Sequence, residues 1–176
     1  MSTDISQAIA TTKAKLAAGP GAASGPDRPA TATLEVGLAC RVDGGNEWSV
    51  HTDMPAAVGG TGAAPSPGWL LRAAWAACEA TVIAMRAAEL GIRLDRIEVV
   101  AESESDMRGL LGVDDGISPG PLAAHIRIRI ATEDADAERV RALVEWADRH
   151  SAVADALRRT VATTIEVELG AAEPVA

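Results

Sequence analysis

The side chains able to do covalent chemistry are few: two thiols, Cys40 and Cys78, three histidines and a handful of arginines near turns. A thiolate is a strong nucleophile and is easily oxidised, so its surroundings decide whether it reacts. Cys78 lies on a stripe, Leu70, Leu71, Ala74, Trp75, Cys78, Val82, Met85 and Glu89, whose spacing is that of one helix face. On such a stripe a small core residue is the plain reading, because free cysteines are among the most buried side chains. The reactive reading needs an activating cation from another element. Cys78 stands on the order of 18 Å from the helix start, beyond the reach of the positive end of the dipole.

The other candidates carry similar pairs of readings. Cys40 falls on the apolar side of an early strand; it is either a second core cysteine or a partner for Cys78, which requires Cα atoms within about 7 Å. His150 beside Ser151 sets a base next to a hydroxyl, but sequence neighbours at a helix junction point apart and no third acid orients the pair. Arg108 in DMRGLLG is framed by glycine, so it either reaches an anion or a partner subunit, or pairs locally with Asp106. Glu79 is most simply a solvent or inter-subunit charge. His125, Arg127 and Arg129 read as a solvated strand face.

The elements that position these residues can be read from their punctuation. Ser66 followed by Pro67 starts a helix that runs to Gly91. It is apolar on nearly all sides, which marks it as central. Before it, TATLEVGLACRV (31–42) alternates as one strand, and after Asp43-Gly44-Gly45-Asn46 a second strand runs over 47–53 to make a hairpin. Arg96 to Ser103 and Ala124 to Thr132 read as strands around the loop 106–112. Asp136 caps a helix through His150, with Val140, Leu143, Val144 and Ala147 as its apolar stripe. Ser151 caps a short helix ending near Arg159, and Thr163 to Leu169 reads as a last strand. Hairpins around one dominant helix predict an α+β fold. Asp4 to Ala17 forms a short amphipathic helix, and Gly19 to Pro29 is a linker, so residues 1–29 read as an arm and 30–176 as the domain.

Bulk properties exclude several functions. With 176 residues and 48% hydrophobic composition the chain can bury a core. Its formal net charge of −9 repels phosphate backbones and anionic lipid. With neither Phe nor Tyr, it lacks the platforms on which single-stranded bases stack. No nucleic-acid partner is expected. No stretch approaches the roughly 20 apolar residues of a membrane span, and the polar N-terminus lacks a secretory apolar region, so a cytoplasmic protein without membrane association is expected. Two cysteines and three scattered histidines offer neither a disulfide scaffold nor a metal site, and no cofactor is called for.

The run Asp53-Met54-Pro55, then Gly59-Gly60, Pro65-Ser66-Pro67 and Leu70-Leu71-Arg72-Ala73-Ala74-Trp75-Ala76-Ala77-Cys78, resembles the central segment of the OsmC/Ohr family of organic hydroperoxide resistance proteins. The strand 96–103, the loop 106–112, the Ile-rich strand and His150-Ser151-Ala152-Val153-Ala154-Asp155-Ala156-Leu157 follow in the order that family uses. The resemblance covers about residues 30–169 and marks a divergent member. It implies antiparallel sheets wrapped around a long central helix in an interlocked homodimer. It also implies a thiol peroxidase in which a first cysteine, at the position of Cys78, is oxidised to a sulfenic acid and captured by a second cysteine.

The resemblance carries over only in part. The resolving position holds Ser151, which cannot form a disulfide; Pro67 is followed by Gly68 where the Ohr branch has a glutamate; and Arg41 is the candidate for the catalytic arginine, although it lies on the polar face of its strand. The implied activity is oxidative-stress defence by reduction of organic hydroperoxides through Cys78, with an external thiol as resolving reductant. The alternative is a dimer without the peroxidase that holds a small apolar ligand under the loop 59–67.

Overall fold

Ser66 opens the central helix α2 (Pro67–Glu89): its hydroxyl accepts from the Trp69 N–H, and Pro67 takes a first-turn position that needs no donor. The helix ends where Leu90 closes back on Arg86 and Ala87 and Gly91 adopts a left-handed backbone, φ 66°. In the computed structural model, which describes residues 4–19 and 23–170, the N-terminal helix and both C-terminal helices pack on α2. Residues 20–22 of the expected linker lie outside the described residues.

Around α2 the chain runs α1 (Ile5–Ala18), β1 (Thr31–Val36), β2 (Ala39–Asp43), β3 (Ser49–Thr52), a 3₁₀ turn (Ala56–Val58), then α2, β4 (Arg96–Glu104), α3 (Met107–Leu110), β5 (Ala123–Ala131), α4 (Ala137–His150) and α5 (Ala152–Arg158). The strands form two antiparallel sheets, β1-β2-β3 and β4-β5. The α+β class is as expected from the sequence.

The core lies between α2, α4 and the β4-β5 sheet. Ile83, Ala87, Ile92, Leu143 and Ala147 are buried together, with Ile97, Ile128, Ile130 and Val144 packed against them. Ile126, Ile128 and Ile130 alternate inward along β5 while Arg127 and Arg129 face out to Glu102 and Glu98 at 3.0 and 2.5 Å. α1 is tied to α2 through Lys13, which pairs with Glu89.

Three expectations are corrected. The stretch 31–42 is not one strand: Gly37, with φ 60°, turns the chain back so that β1 pairs with β2, Leu34 opposite Cys40, and the expected hairpin becomes a three-stranded sheet. The segment 163–169 forms no strand and pairs with none of the described strands. Ile165 and Leu169 are 90% and 95% exposed. The buried line of α2 is displaced by one residue from the expected stripe; it runs through Glu79, Ile83 and Ala87, while Ala74 and Met85 face outward. No helix among the described residues is long and apolar enough to cross a membrane.

Candidate active site

Cys78 sits half-buried in the middle of α2, opposite the junction of α4 and α5. Ser151 occupies that junction. Its backbone leaves helical geometry there, so its hydroxyl caps α5 by accepting from the Ala154 N–H at 3.3 Å. The same oxygen lies 3.3 Å from the Cys78 sulfur and donates its proton to it. Ser151 is completely buried. Two residues 73 apart in sequence are thus brought into one hydrogen bond, with a hydroxyl where a second thiol would be needed for a disulfide.

Directly beside them is a residue that the sequence reading placed in solvent or at a subunit boundary. Glu79 is completely buried, and neither of its carboxyl oxygens has a hydrogen-bond partner. The Trp75 indole N–H, one turn earlier on α2, is also buried without a partner. Burial holds the Glu79 carboxyl above its ordinary range, and the negative charge of Asp148 adds to this; Ser151, Trp75 and the Arg158 guanidinium act in the other direction without prevailing. A signal for this was present: Glu79, Ile83 and Ala87 repeat at four-residue spacing, but a carboxylate on a helix defaults to solvent unless its tertiary neighbours are known.

The remaining candidates are dispersed. Arg41 points from β2 to Glu35 and Asp43, at 3.5 and 3.3 Å, and no contact joins it to Cys78. Cys40 lies in β2 opposite Leu34 and Thr52, and both cysteines are free. Arg108 folds back on Asp106 with a bond of 2.6 Å, and this pairing draws the Asp106 carboxyl down to about 2. His150 is held elsewhere: its Nδ1 lies 2.7 Å from the Trp146 carbonyl and its ring stacks on the Trp146 indole at 3.9 Å. It serves no Ser151 nucleophile.

The loop that feeds α2 is organised by Asp53. Its carboxylate accepts from Met54 N–H at 2.7 Å, Thr61 N–H at 2.9 Å, the Thr61 hydroxyl at 2.6 Å and Ala63 N–H at 3.2 Å, which lowers it to about 2, the Thr61 hydroxyl contributing most. A cavity of about 420 Å³ opens between the first turns of α2, the start of β5 and α5, lined by Leu71, Trp75, Leu122 and Leu157 and edged by Arg72 and Arg158. Trp75, one turn before Cys78 on α2, and Ala154, whose N–H Ser151 caps, are among its lining residues. Arg72 donates to the Ser103 hydroxyl at 3.1 Å, and Arg158 is clipped to Asp148 at 2.6 Å.

The fold recurs in solved structures. An OsmC-like protein from Mycoplasma pneumoniae aligns with a TM-score of 0.65 at 13% identity, covering 77% of this chain and 89% of that one. An organic hydroperoxide resistance protein from Elizabethkingia anophelis aligns at 0.57 with 19% identity, covering 77% and 90%. An organic hydroperoxide resistance protein OsmC from Legionella pneumophila aligns at 0.54 with 21% identity, covering 74% and 89%. At these identities the likeness speaks for the fold. No curated protein matches the chain in sequence. The sequence profile of the OsmC-like proteins matches residues 60–166, more than half of the chain and the whole stretch from the glycine loop through α5, and the chain belongs to that family.

Proposed function

We propose that this OsmC-like protein acts in oxidative-stress defence by reducing organic hydroperoxides through Cys78, with an external thiol as the resolving reductant. The observation that carries the reading is the 3.3 Å hydrogen bond from the fully buried Ser151 hydroxyl to the Cys78 sulfur. It holds the Cys78 sulfur in a fixed orientation at the junction of α4 and α5. The sulfur attacks one peroxide oxygen; an S–O bond forms, the O–O bond breaks, and the alkoxide leaves as an alcohol after taking a proton. Sulfur is oxidised to a sulfenic acid while the peroxide is reduced. One molecule of external thiol then displaces water to give a mixed disulfide, and a second releases Cys78. Ser151 excludes an internal disulfide at this position, so the reductant must come from outside.

Mass spectrometry after stoichiometric cumene hydroperoxide tests the reading: Cys78 gains one oxygen, and Cys78→Ser abolishes thiol-dependent turnover. An unmodified Cys78, or equal turnover in the serine variant, rejects it. Arg41 is held by two carboxylates, Glu35 and Asp43, so Arg41→Ala is expected to leave turnover largely intact.

A second reading is favoured by the 420 Å³ cavity, whose apolar lining and two edging guanidiniums suit a small apolar ligand that carries an anionic end. Native mass spectrometry of freshly purified protein would report such a ligand. An empty cavity together with fast peroxide turnover would reject it.

We further propose the interlocked homodimer. The β1-β2-β3 sheet leaves Leu34, Val36 and Val50 exposed, the outer line of α2 exposes Ala74, Ala77 and Met85, and the extended tail exposes Ile165, Val167 and Leu169. Apolar surface of this extent is characteristic of an interface.

A further inference from the structure

Among the described residues, Glu79 is the carboxyl whose position the reaction above leaves without a role. It is completely buried with no hydrogen bond of full geometry holding either oxygen, it follows Cys78 in sequence, and the Ser151 hydroxyl lies close enough to act on its carboxyl. A buried, unpaired carboxyl is costly as an anion and is retained at a site only where it is neutral or serves chemistry. The groups facing it are the Trp75 indole on its own helix, Asp148 from α4, and Ser151 and Arg158 from the α5 side; Arg158 is bound to Asp148 at 2.6 Å, which leaves Glu79 without a paired cation.

Resting on the peroxidase reading, we propose that Glu79 is the proton reservoir of the reaction, acting through the Ser151 hydroxyl to protonate the alkoxide that leaves when Cys78 cleaves a hydroperoxide. Ser151 touches the reacting sulfur and is the catalytic residue of the pair; Glu79 is a positioning residue that works through it. In the first step the Cys78 thiolate, the hydroperoxide and the Glu79 acid give the sulfenic acid, an alcohol and the Glu79 carboxylate. The first external thiol then converts the sulfenic acid to a mixed disulfide and water. The second thiol reduces the mixed disulfide, releases Cys78 as thiolate and returns its proton to Glu79. Each cycle consumes one hydroperoxide and two thiols and yields one alcohol, one water and one disulfide.

The Cys78 environment explains why such a reservoir is useful. An alkoxide is a poor leaving group, and proton delivery by a placed acid accelerates such steps by on the order of 10²-fold or more. Ser151 is completely buried, so bulk water has little access to take over that task. Burial of Glu79 favours its neutral, proton-carrying form.

Leaving-group chemistry tests this directly. Single-turnover oxidation of Cys78 is followed by mass spectrometry with two oxidants on the full chain: cumene hydroperoxide, which expels an alkoxide, and peracetic acid, which expels acetate and needs no proton. The ratio of the two rates cancels any change in thiolate content. In Glu79→Gln the cumene-to-peracetate ratio is expected to fall by on the order of 10²-fold, with partial recovery in Glu79→Asp. Ser151→Ala, which cuts the route instead of the source, is expected to lower the same ratio and serves if the glutamine variant does not fold. An unchanged ratio in both variants, with both oxidants slowed equally or not at all, overturns the relay while leaving the peroxidase intact. A parent protein inert to both oxidants overturns the peroxidase reading itself.

Discussion

Asp53 and Glu79 are both buried carboxyls, and their surroundings push them in opposite directions. Asp53 has four donors aimed at it and is lowered to about 2. Its bonds therefore contribute stability that is fully present above the unfolded value near 3.8 and is lost as pH falls through about 2. Asp53→Asn is expected to lower the urea midpoint near neutral pH, and the gap from the parent should close as the pH approaches 2. Glu79 is raised, chiefly by burial, so the folded chain keeps a proton that the unfolded chain has already released. Stability must then fall as pH rises above the ordinary carboxylate range of about 4.5, until the folded group also ionises. Urea midpoints measured across a pH series should show this downward slope in the parent and not in Glu79→Gln, which should be the more stable protein at the alkaline end of the window. Parallel profiles for the two proteins would show that Glu79 is solvated.

The elements that hold these residues fail in different ways when glycine is changed. A Cβ on Gly60 would stand 1.8 Å from the Met54 carbonyl oxygen, a backbone atom that cannot swing aside, so Gly60→Ala is expected to cost at least about 2 kcal/mol in thermal or urea unfolding. Gly37 has open space around it and a φ of 60°, so Gly37→Ala meets only torsional strain of about 1 to 2 kcal/mol. Ile83, wholly buried in the core cluster, is expected to lose about 2 to 5 kcal/mol on truncation to alanine. The contrast between the glycines also explains what the sequence conveyed. The limits of α2, α4 and α5 were legible because Ser66, Asp136 and Ser151 each cap through a short side chain. The turn at Gly37 was not: even-numbered residues lie on one face in both β1 and β2, as Leu34 opposite Cys40 shows, so the alternation passes through the reversal unchanged. The meeting of Cys78 with Ser151 was legible only as two matched positions, and the place of Glu79 only as a four-residue repeat with Ile83 and Ala87 that a carboxylate on a helix overrides. The neighbours that bury it come from α4 and α5, far away in sequence, and the repeat does not name them.

At the scale of the molecule, the single protomer leaves apolar work undone. The β1-β2-β3 sheet keeps both edges free among the described residues, and the extended segment 161–169 carries Val161, Ile165, Val167 and Leu169 into solvent with no strand beside it. Alternating apolar residues in an extended segment are suited to strand addition, where backbone hydrogen bonds and every second side chain are satisfied by another sheet. A net charge of −9 opposes indiscriminate association, so a partner surface must be specific and apolar at its centre. Sedimentation equilibrium of the full chain is expected to give twice the chain mass. Ile165→Asp combined with Val167→Asp places charges on the proposed contact line and should yield monomer. Both positions are exposed in the protomer, so the substitutions remove no contact within the chain. If the double variant remains dimeric, the tail is not part of the interface; if the parent itself sediments as a monomer, the exposed face of α2 and the lone sheet need another explanation. Because Cys78 and Ser151 belong to one chain, the variant also separates assembly from chemistry: loss of turnover with dimerisation would mean that the partner completes the cavity wall, while retained turnover would locate the whole reaction within one protomer.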